Sequence, residues 1–281
     1  MYVFILTLSI KYKKEIELLM FTDLRNKGWD VFSNSYAEER LFNDHSEFCH
    51  SFQNILLDHS ISRDEIITGG GGMHIQTQRL GSEFVKMGLK KANLEVHTQT
   101  VDSLTEQEIA RSSTGRSHEI DHMHLSDKGN IAIEIEWNTK PVSFDRDLDA
   151  FRRFYTDEAI DVGIIVTRGE SLQNSLLGII KEFFNTEFRN DDYLIDIDRM
   201  ISEFQNKNLK YEKPTNTQMK VIKDSISKGI NPADAFARKF CSDKYGSSTT
   251  HWKTLIERFD RGGYKPVPLI FFGIPSSCIT P

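Results

Sequence analysis

The stretch RSHEIDHMHLSDKGNIAIEIEWNTK, residues 116–140, constrains the fold more than any other part of the chain. In NIAIEIEW the apolar and acidic side chains alternate, so Ile131, Ile133 and Ile135 leave one face of a strand and Glu134 and Glu136 leave the other. The preceding HEIDHMHL reads as a second short strand, joined through Ser126-Asp127-Lys128-Gly129, a polar link ending in Gly that suits a hairpin. The hairpin brings three carboxylates, Asp121, Glu134 and Glu136, close together. Neighbouring carboxylates repel unless a cation sits between them, and a divalent metal is the usual solution.

The chain around this hairpin is that of an ordinary folded protein. With 38% hydrophobic and 27% charged residues over 281 positions it can bury a large core, which excludes a disordered chain and favours one domain with insertions. Cys49, Cys241 and Cys278 are widely spaced, with neither metal-ligand nor redox spacing, so reduced thiols in a cytoplasmic protein are expected. The apolar MYVFILTLSI runs straight into KYKKEIE; it is too short to span a bilayer and reads as an edge strand or helix start. A formal net charge of −6 argues against a basic coat for polyanions. It leaves room for a locally positive cleft, because an acidic metal site supplies part of that negative charge itself.

Helical spacing of Leu41, Phe42, Phe48, Phe52, Ile55 and Leu56 predicts a helix over residues 37–59. Gly69–Gly72 then form a loop entering a helix over 76–91; backbone amides there could hold a phosphate, but no Gly-Lys-Ser/Thr follows to make a nucleotide P-loop. LEVHTQTV reads as a strand. After the hairpin, Phe144, Leu148, Phe151 and Phe154 mark a helix, and DVGIIVT is an apolar run typical of a strand covered on both faces. Strand, helix, strand implies a crossover, with the second hairpin strand parallel to residues 161–167. The expected fold is α/β, a mixed central sheet flanked by helices. Residues 172–230 carry no sharp motif; near the end, SSTTHWKTLIERFD reads as a helix with hydroxyl residues at its start and PVPLIFFGI as another buried strand.

Hydrolysis of a phosphodiester needs charge withdrawn from the transition state and a water activated near neutral pH, and Mg²⁺ held by hard oxygen ligands does both. From the residues alone, three other readings stay open. The acidic strand face can be solvated. Strict alternation puts His118, His122 and His124 on one face, a possible Zn²⁺ site, with Asp121, Glu119 and Met123 on the other, so only one of these sets faces the chemistry. A carboxylate pair can also serve a glycosidase, although positions on one strand flank a glycosidic bond poorly. The basic residues Arg111 and Arg116 before the hairpin and Asn138, Thr139 and Lys140 after it favour a site over a solvated face.

HEIDH, NIAIEIEWNTK, FDRDLDAFRRF and VGIIVTRG, together with the earlier GGGG and the later THWKTLIERFDRGG and PLIFFGI, resemble the BglII/BstYI family of type II restriction endonucleases. The resemblance spans about residues 60–275 and implies a PD-(D/E)xK nuclease core within a single domain, with an N-terminal helical extension over about 1–60 and an insert over about 172–242. It implies a homodimer that cuts a short palindromic site in double-stranded DNA with Mg²⁺, leaving 5′-phosphate ends, beside a cognate DNA methyltransferase in a restriction-modification system and away from any membrane. Asp121 and Glu134 match the acidic metal ligands, and the carbonyl of Ile135 would complete the shell. Glu136 stands where the broad pattern has Lys and the family's namesakes have Gln, a BamHI-like Glu-x-Glu variant; general base, water-positioning group and second metal ligand are its possible roles. Glu83 corresponds to an extra acidic residue that some relatives place near the metal.

DNA readers in the family lie after the catalytic strand and near the final helix, here Asn138, Thr139 and Lys140, and Ser247, Ser248, Thr249, Thr250 and His251, whose side chains can hydrogen-bond base edges. Arg146, Arg152 and Arg153 on the following helix could hold phosphates, or form a solvated helix face. The competing function on the same core is a DNA-binding or repair protein that does not cleave.

Overall fold

The Ile131–Glu136 strand lies inside a six-stranded mixed sheet. The computed structural model describes residues 21–68, 73–112, 117–187 and 213–280, with isolated positions at 202, 205–206 and 210. The expected N-terminal strand or helix start, the glycine run at 69–72 and Arg116 lie outside the described residues.

In chain order, helix α1 (Thr22–Asn26), strand β1 (Asp30–Ser33) and helices α2 (Ala37–Asp44) and α3 (Ser46–Asp58) come first. Strand β2 (Ile61–Ser62) and helices α4 (Arg63–Ile67) and α5 (Ile75–Lys86) follow. Then come strands β3 (Lys90–Leu94), β4 (Thr98–Val101), β5 (Glu108–Ser112), β6 (His118–His124) and β7 (Ile131–Glu136). Helix α6 (Val142–Thr156), strand β8 (Val162–Arg168) and helices α7 (Glu170–Glu187), α8 (Asn216–Ser227), α9 (Pro232–Tyr245) and α10 (Trp252–Arg261) lead to β9 (Leu269–Ile274) and β10 (Ile279–Thr280).

The central sheet runs β1-β9-β8-β7-β6-β3. Its middle strands β7, β8 and β9 are mutually parallel, while β6, β3 and β1 are antiparallel to their neighbours. Helix α6 is the crossover between β7 and β8, as the apolar run at 162–166 requires. Every residue of β7, β8 and β9 is buried, the condition of a parallel sheet covered on both sides. One face, with Ile131, Ile133, Ile135, Ile164, Val166 and Phe272, packs under α3, α5, α7 and α9. The other, with Ala132, Ile165 and Phe271, packs under α6 and α10 through Phe144, Leu148, Phe151, Leu255 and Phe259.

Several boundaries differ from expectation. The helix over 37–59 is two helices, because His45 (φ −134°, ψ 41°) leaves the helical region between them. The helix over 76–91 stops at Lys86, followed by Gly88 at φ 97°, a conformation glycine adopts freely. LEVHTQTV is divided between β3, in the central sheet, and β4, which pairs with β5 as a separate ribbon. Within the segment expected as an N-terminal helical extension, β1 is a sheet strand paired with β9. Within the segment expected as an insert, α7 buries Leu172, Leu176, Ile180 and Phe184 in the main core.

Candidate active site

The site is built where β6 and β7 part. Their ladder pairs His122 to His124 with Ile133 to Ile131. On the other side of β6, Lys90 pairs with Met123 and Ala92 with Ile120, so two steps on β3 face three on β6. That extra residue is a β-bulge at Asp121 and His122, a device that re-aims side chains. The strict alternation expected for β6 is therefore broken. His118 and Asp121 both turn toward Glu134, whereas His122 packs edge-on to Phe84 and His124 lies against Phe48 and His45 on the opposite face. The expected grouping of three histidines, with Asp121 turned away from them, does not form.

Asp121 Oδ2 lies 3.4 Å from the backbone nitrogen of Ile135. In its Nε2–H tautomer His118 donates to Glu134 Oε1 at 3.1 Å, with Asp147 Oδ1 3.6 Å away. Ligand atoms of His118, Glu134 and Asp147 lie within 4.8 Å of one another, and all three residues are buried. Arg146 reaches in from α6, its Nη2 2.9 Å from Asp147 Oδ1 and 3.4 Å from Glu136 Oε1, although its own side chain is 59% exposed. Thr139 Oγ1 donates to the second oxygen of Glu136.

Burial of this charge shows in its titration. Desolvation, then the nearby Asp147 and Asp121, hold the Glu134 carboxyl well above the usual range. Desolvation followed by Glu136 raises Asp147 to about 8, although the Arg146 guanidinium opposes the shift. Glu136 is also raised by burial, against the Thr139 hydroxyl and Arg146. His118 is lowered, first by burial and then by Arg146 and Arg153, so its imidazole is neutral at pH 7. Asp147 Oδ2 is buried without a hydrogen-bond partner. Four acids against the mostly exposed guanidinium of Arg146 and the exposed ammonium of Lys91, with one carboxylate oxygen left unmatched, are a donor set suited to a divalent cation.

Asp121, Glu134 and Glu136 thus come together as expected, while Glu83 does not join them. It pairs with Lys86 at 2.7 Å on α5, a helix that covers the opposite sheet face. Asp147 is the residue that sequence reasoning missed. Its signal was present, since with Phe144, Leu148 and Phe151 it occupies the i+3 position of the buried stripe of α6, where an acid is out of place. Arg152 and Arg153 are drawn to Asp149 on their own helix.

Of the expected DNA readers, Lys140 and Ser248 are exposed and Asn138 is half-buried. Thr250 and His251 are buried. The Thr250 backbone nitrogen donates to the Thr139 carbonyl at 2.8 Å, and the His251 nitrogen donates to Thr254 Oγ1 at 3.1 Å at the start of α10. Thr249 Oγ1 accepts from Arg168 Nη2 at 2.6 Å. The segment after β7 and the turn before α10 are therefore joined into one surface beside the acids.

No helix among the described residues is long and apolar enough to cross a membrane. No curated protein matches the chain. The restriction endonuclease BglII/BglIII family does, over residues 29–274, a span that contains the central sheet, the acidic cluster and the joined surface beside it. With a match covering most of its 281 residues, this chain belongs to the BglII/BglIII restriction endonuclease family, type II enzymes that hydrolyse DNA.

Proposed function

We propose that the chain cuts a short palindromic site in duplex DNA with Mg²⁺, leaving 5′-phosphate and 3′-hydroxyl ends. The observation that carries this reading is the buried convergence of His118, Glu134 and Asp147, with the half-buried Asp121 beside Glu134 and one Asp147 carboxylate oxygen unmatched, because such a site suits a hard divalent ion. Asp121 and Glu134 would hold Mg²⁺ together with the Ile135 carbonyl, and Asp147 adds charge behind them. Bound there, the ion withdraws charge from the phosphodiester and acidifies the attacking water.

The remaining work falls to the chain itself. His118 keeps Glu134 in one orientation through the 3.1 Å hydrogen bond. Glu136, held by Thr139 and Arg146, accepts the proton of the attacking water; burial raises its pKa above the usual carboxylate range, which makes it a stronger base. The water oxygen bonds to phosphorus, the bond from phosphorus to O3′ breaks, and O3′ leaves with the electron pair and takes a proton from solvent water to become the 3′-hydroxyl. Arg146 is exposed enough to swing from the acids to a DNA phosphate. A palindromic site matches a two-fold symmetric homodimer, one active site per strand. A cognate methyltransferase would protect the host, and such a pair works in the cytoplasm.

The test is incubation of unmethylated phage and plasmid DNA with the full chain and Mg²⁺, alongside EDTA and the Glu134→Ala variant. Discrete fragments from the wild type, none with EDTA and a loss of about 100-fold or more in the variant are expected. DNA left intact across a broad panel of sequences would remove the proposal.

A further inference from the structure

Arg168, the last residue of β8, is fully buried and is the largest side chain in that state among the described residues. No carboxylate pairs with it there. Its Nε donates to the Trp137 carbonyl at 2.7 Å, Nη1 to Gln173 Oε1 at 2.6 Å, and Nη2 to both Thr249 Oγ1 and the Thr250 carbonyl at 2.6 Å. The guanidinium lies 5.8 Å from the Trp137 ring centroid and 5.0 Å from that of Tyr245. Burial draws its pKa down to about 10, which leaves it charged at neutral pH.

A buried cation without an acidic partner is costly, and an apolar side chain of similar volume would fill the space at lower cost. What an apolar side chain lacks is the rigid fork of donors. Here the fork reaches three pieces of chain at once: the residue following β7, the turn before α10, and α7. The first two are joined a second time, by the Thr250 nitrogen to the Thr139 carbonyl at 2.8 Å and by Thr139 Oγ1 lying 3.4 Å from Thr250 Oγ1. The same Thr139 hydroxyl donates to Glu136. A closed circuit therefore runs from Glu136 through Thr139 and Thr250 to Arg168 and back to Trp137, and the exposed Lys140, Ser247 and Ser248 are carried on its outer edge.

We infer that Arg168 is a positioning residue that locks the 137–140 and 247–251 segments into one unit, so that base recognition by their exposed side chains sets the placement of Glu136. The inference rests on the reading of the chain as a site-specific nuclease. It makes fidelity, rather than stability alone, the property that depends on a residue that touches no DNA.

End-mapping of wild-type cleavage on sequenced phage DNA defines the site, and duplexes bearing that site or one changed base then serve as probes. For Arg168→Lys the ratio of kcat/KM on the site to kcat/KM on single-base variants should fall at least about tenfold, the scale of one lost base contact, with a smaller fall in Thr249→Val. A lysine cannot span the three acceptor directions, whereas Thr249→Val removes one of the acceptors together with the hydroxyl's own bond to the Gly246 carbonyl at 2.7 Å. Folded variants that are slower or less stable yet discriminate as well as the wild type would reduce Arg168 to a packing role and overturn the inference. If Arg168→Lys does not fold, the ratio measured for Gln173→Leu, which removes the Nη1 acceptor from a residue outside both recognition segments, decides alone. A wild type that neither cuts nor binds DNA fails a step earlier, removing the nuclease reading and this inference with it.

Discussion

Oδ2 of Asp121 approaches the backbone nitrogen of Ile135 to 3.4 Å, so a side chain of β6 takes an N–H beyond the last rung of the β6–β7 ladder. Asp121 thereby serves both the strand and the proposed cation. Asp121→Asn keeps an oxygen for that N–H but loses the charge, and Asp121→Ala loses both. Both variants should lose about 100-fold or more of Mg²⁺-dependent cleavage. In thermal unfolding without metal, Asn should be at least as stable as the wild type, because it removes a charge that presses on Glu134, and Ala should fall about 1 kcal/mol below Asn. An Asp121→Asn enzyme that cuts at the wild-type rate would contradict the ligand assignment.

Asp147, with Glu134 and Glu136 shifted in the same direction beside it, contributes to the pH dependence of the cation-free protein. Its carboxyl ordinarily titrates at 3.8 and in the fold at about 8. The folded chain holds a proton that the unfolded chain has released, so this group's stabilising effect is complete below about pH 4 and is lost as pH rises to about 8. Added Mg²⁺ should reverse the trend, stabilising more at pH 8 than at pH 5 and releasing protons on binding. Asp147→Asn should flatten the metal-free profile while weakening Mg²⁺ binding. Unfolding midpoints from pH 4 to pH 9, with and without Mg²⁺, and calorimetry in two buffers check this; equal Mg²⁺ stabilisation at both pH values would refute it.

Glu136 tests the division of labour among the acids. A glutamine accepts the Thr139 hydroxyl as the carboxylate does but cannot take a proton from water. Glu136→Gln should therefore lose about 10²- to 10⁴-fold in single-turnover cleavage and lose the rising limb of the pH–rate profile. Activity within a few-fold of the wild type would show that Glu136 only orients the water.

Gly163 offers a control away from the chemistry. A Cβ there would sit 2.5 Å from Phe151 Cδ2 and 2.8 Å from Leu269 Cδ2, where α6 crosses the sheet. Gly163→Ala should cost about 1–3 kcal/mol by overpacking. Chemical denaturation should show that loss, with cleavage specificity unchanged in the folded fraction.

Much of the scaffold could be read from the chain alone. The alternation of NIAIEIEW placed its isoleucines and glutamates on opposite faces, and the apolar runs at 162–166 and 269–274 marked strands buried on both sides. The bulge could not be read, because HEIDHMH alternates equally well with or without an extra residue; only pairing to β3 fixes the offset. Arg168 was hidden for a similar reason. An arginine at a strand end looks solvated until the turn before α10, some 80 residues later, closes over it. Asp147 lay in plain view among the charged residues of α6, and only its place on the buried stripe set it apart.

The extra residue in β6 also bears on how such a site changes over evolutionary time. The half of β6 after the bulge is fixed by its pairing with β7, so deleting one residue at the bulge would slide the preceding half by a single position. Glu119, now paired with Lys91 at the strand's exposed edge, would move to the face that His118 occupies. Point substitutions alter this catalytic set one side chain at a time, but an indel of one codon rewrites several members together. Insertions and deletions in this lineage are therefore expected in the turns and at the outer ends of the sheet, with the lengths of His118–His124 and Ile131–Glu136 held constant.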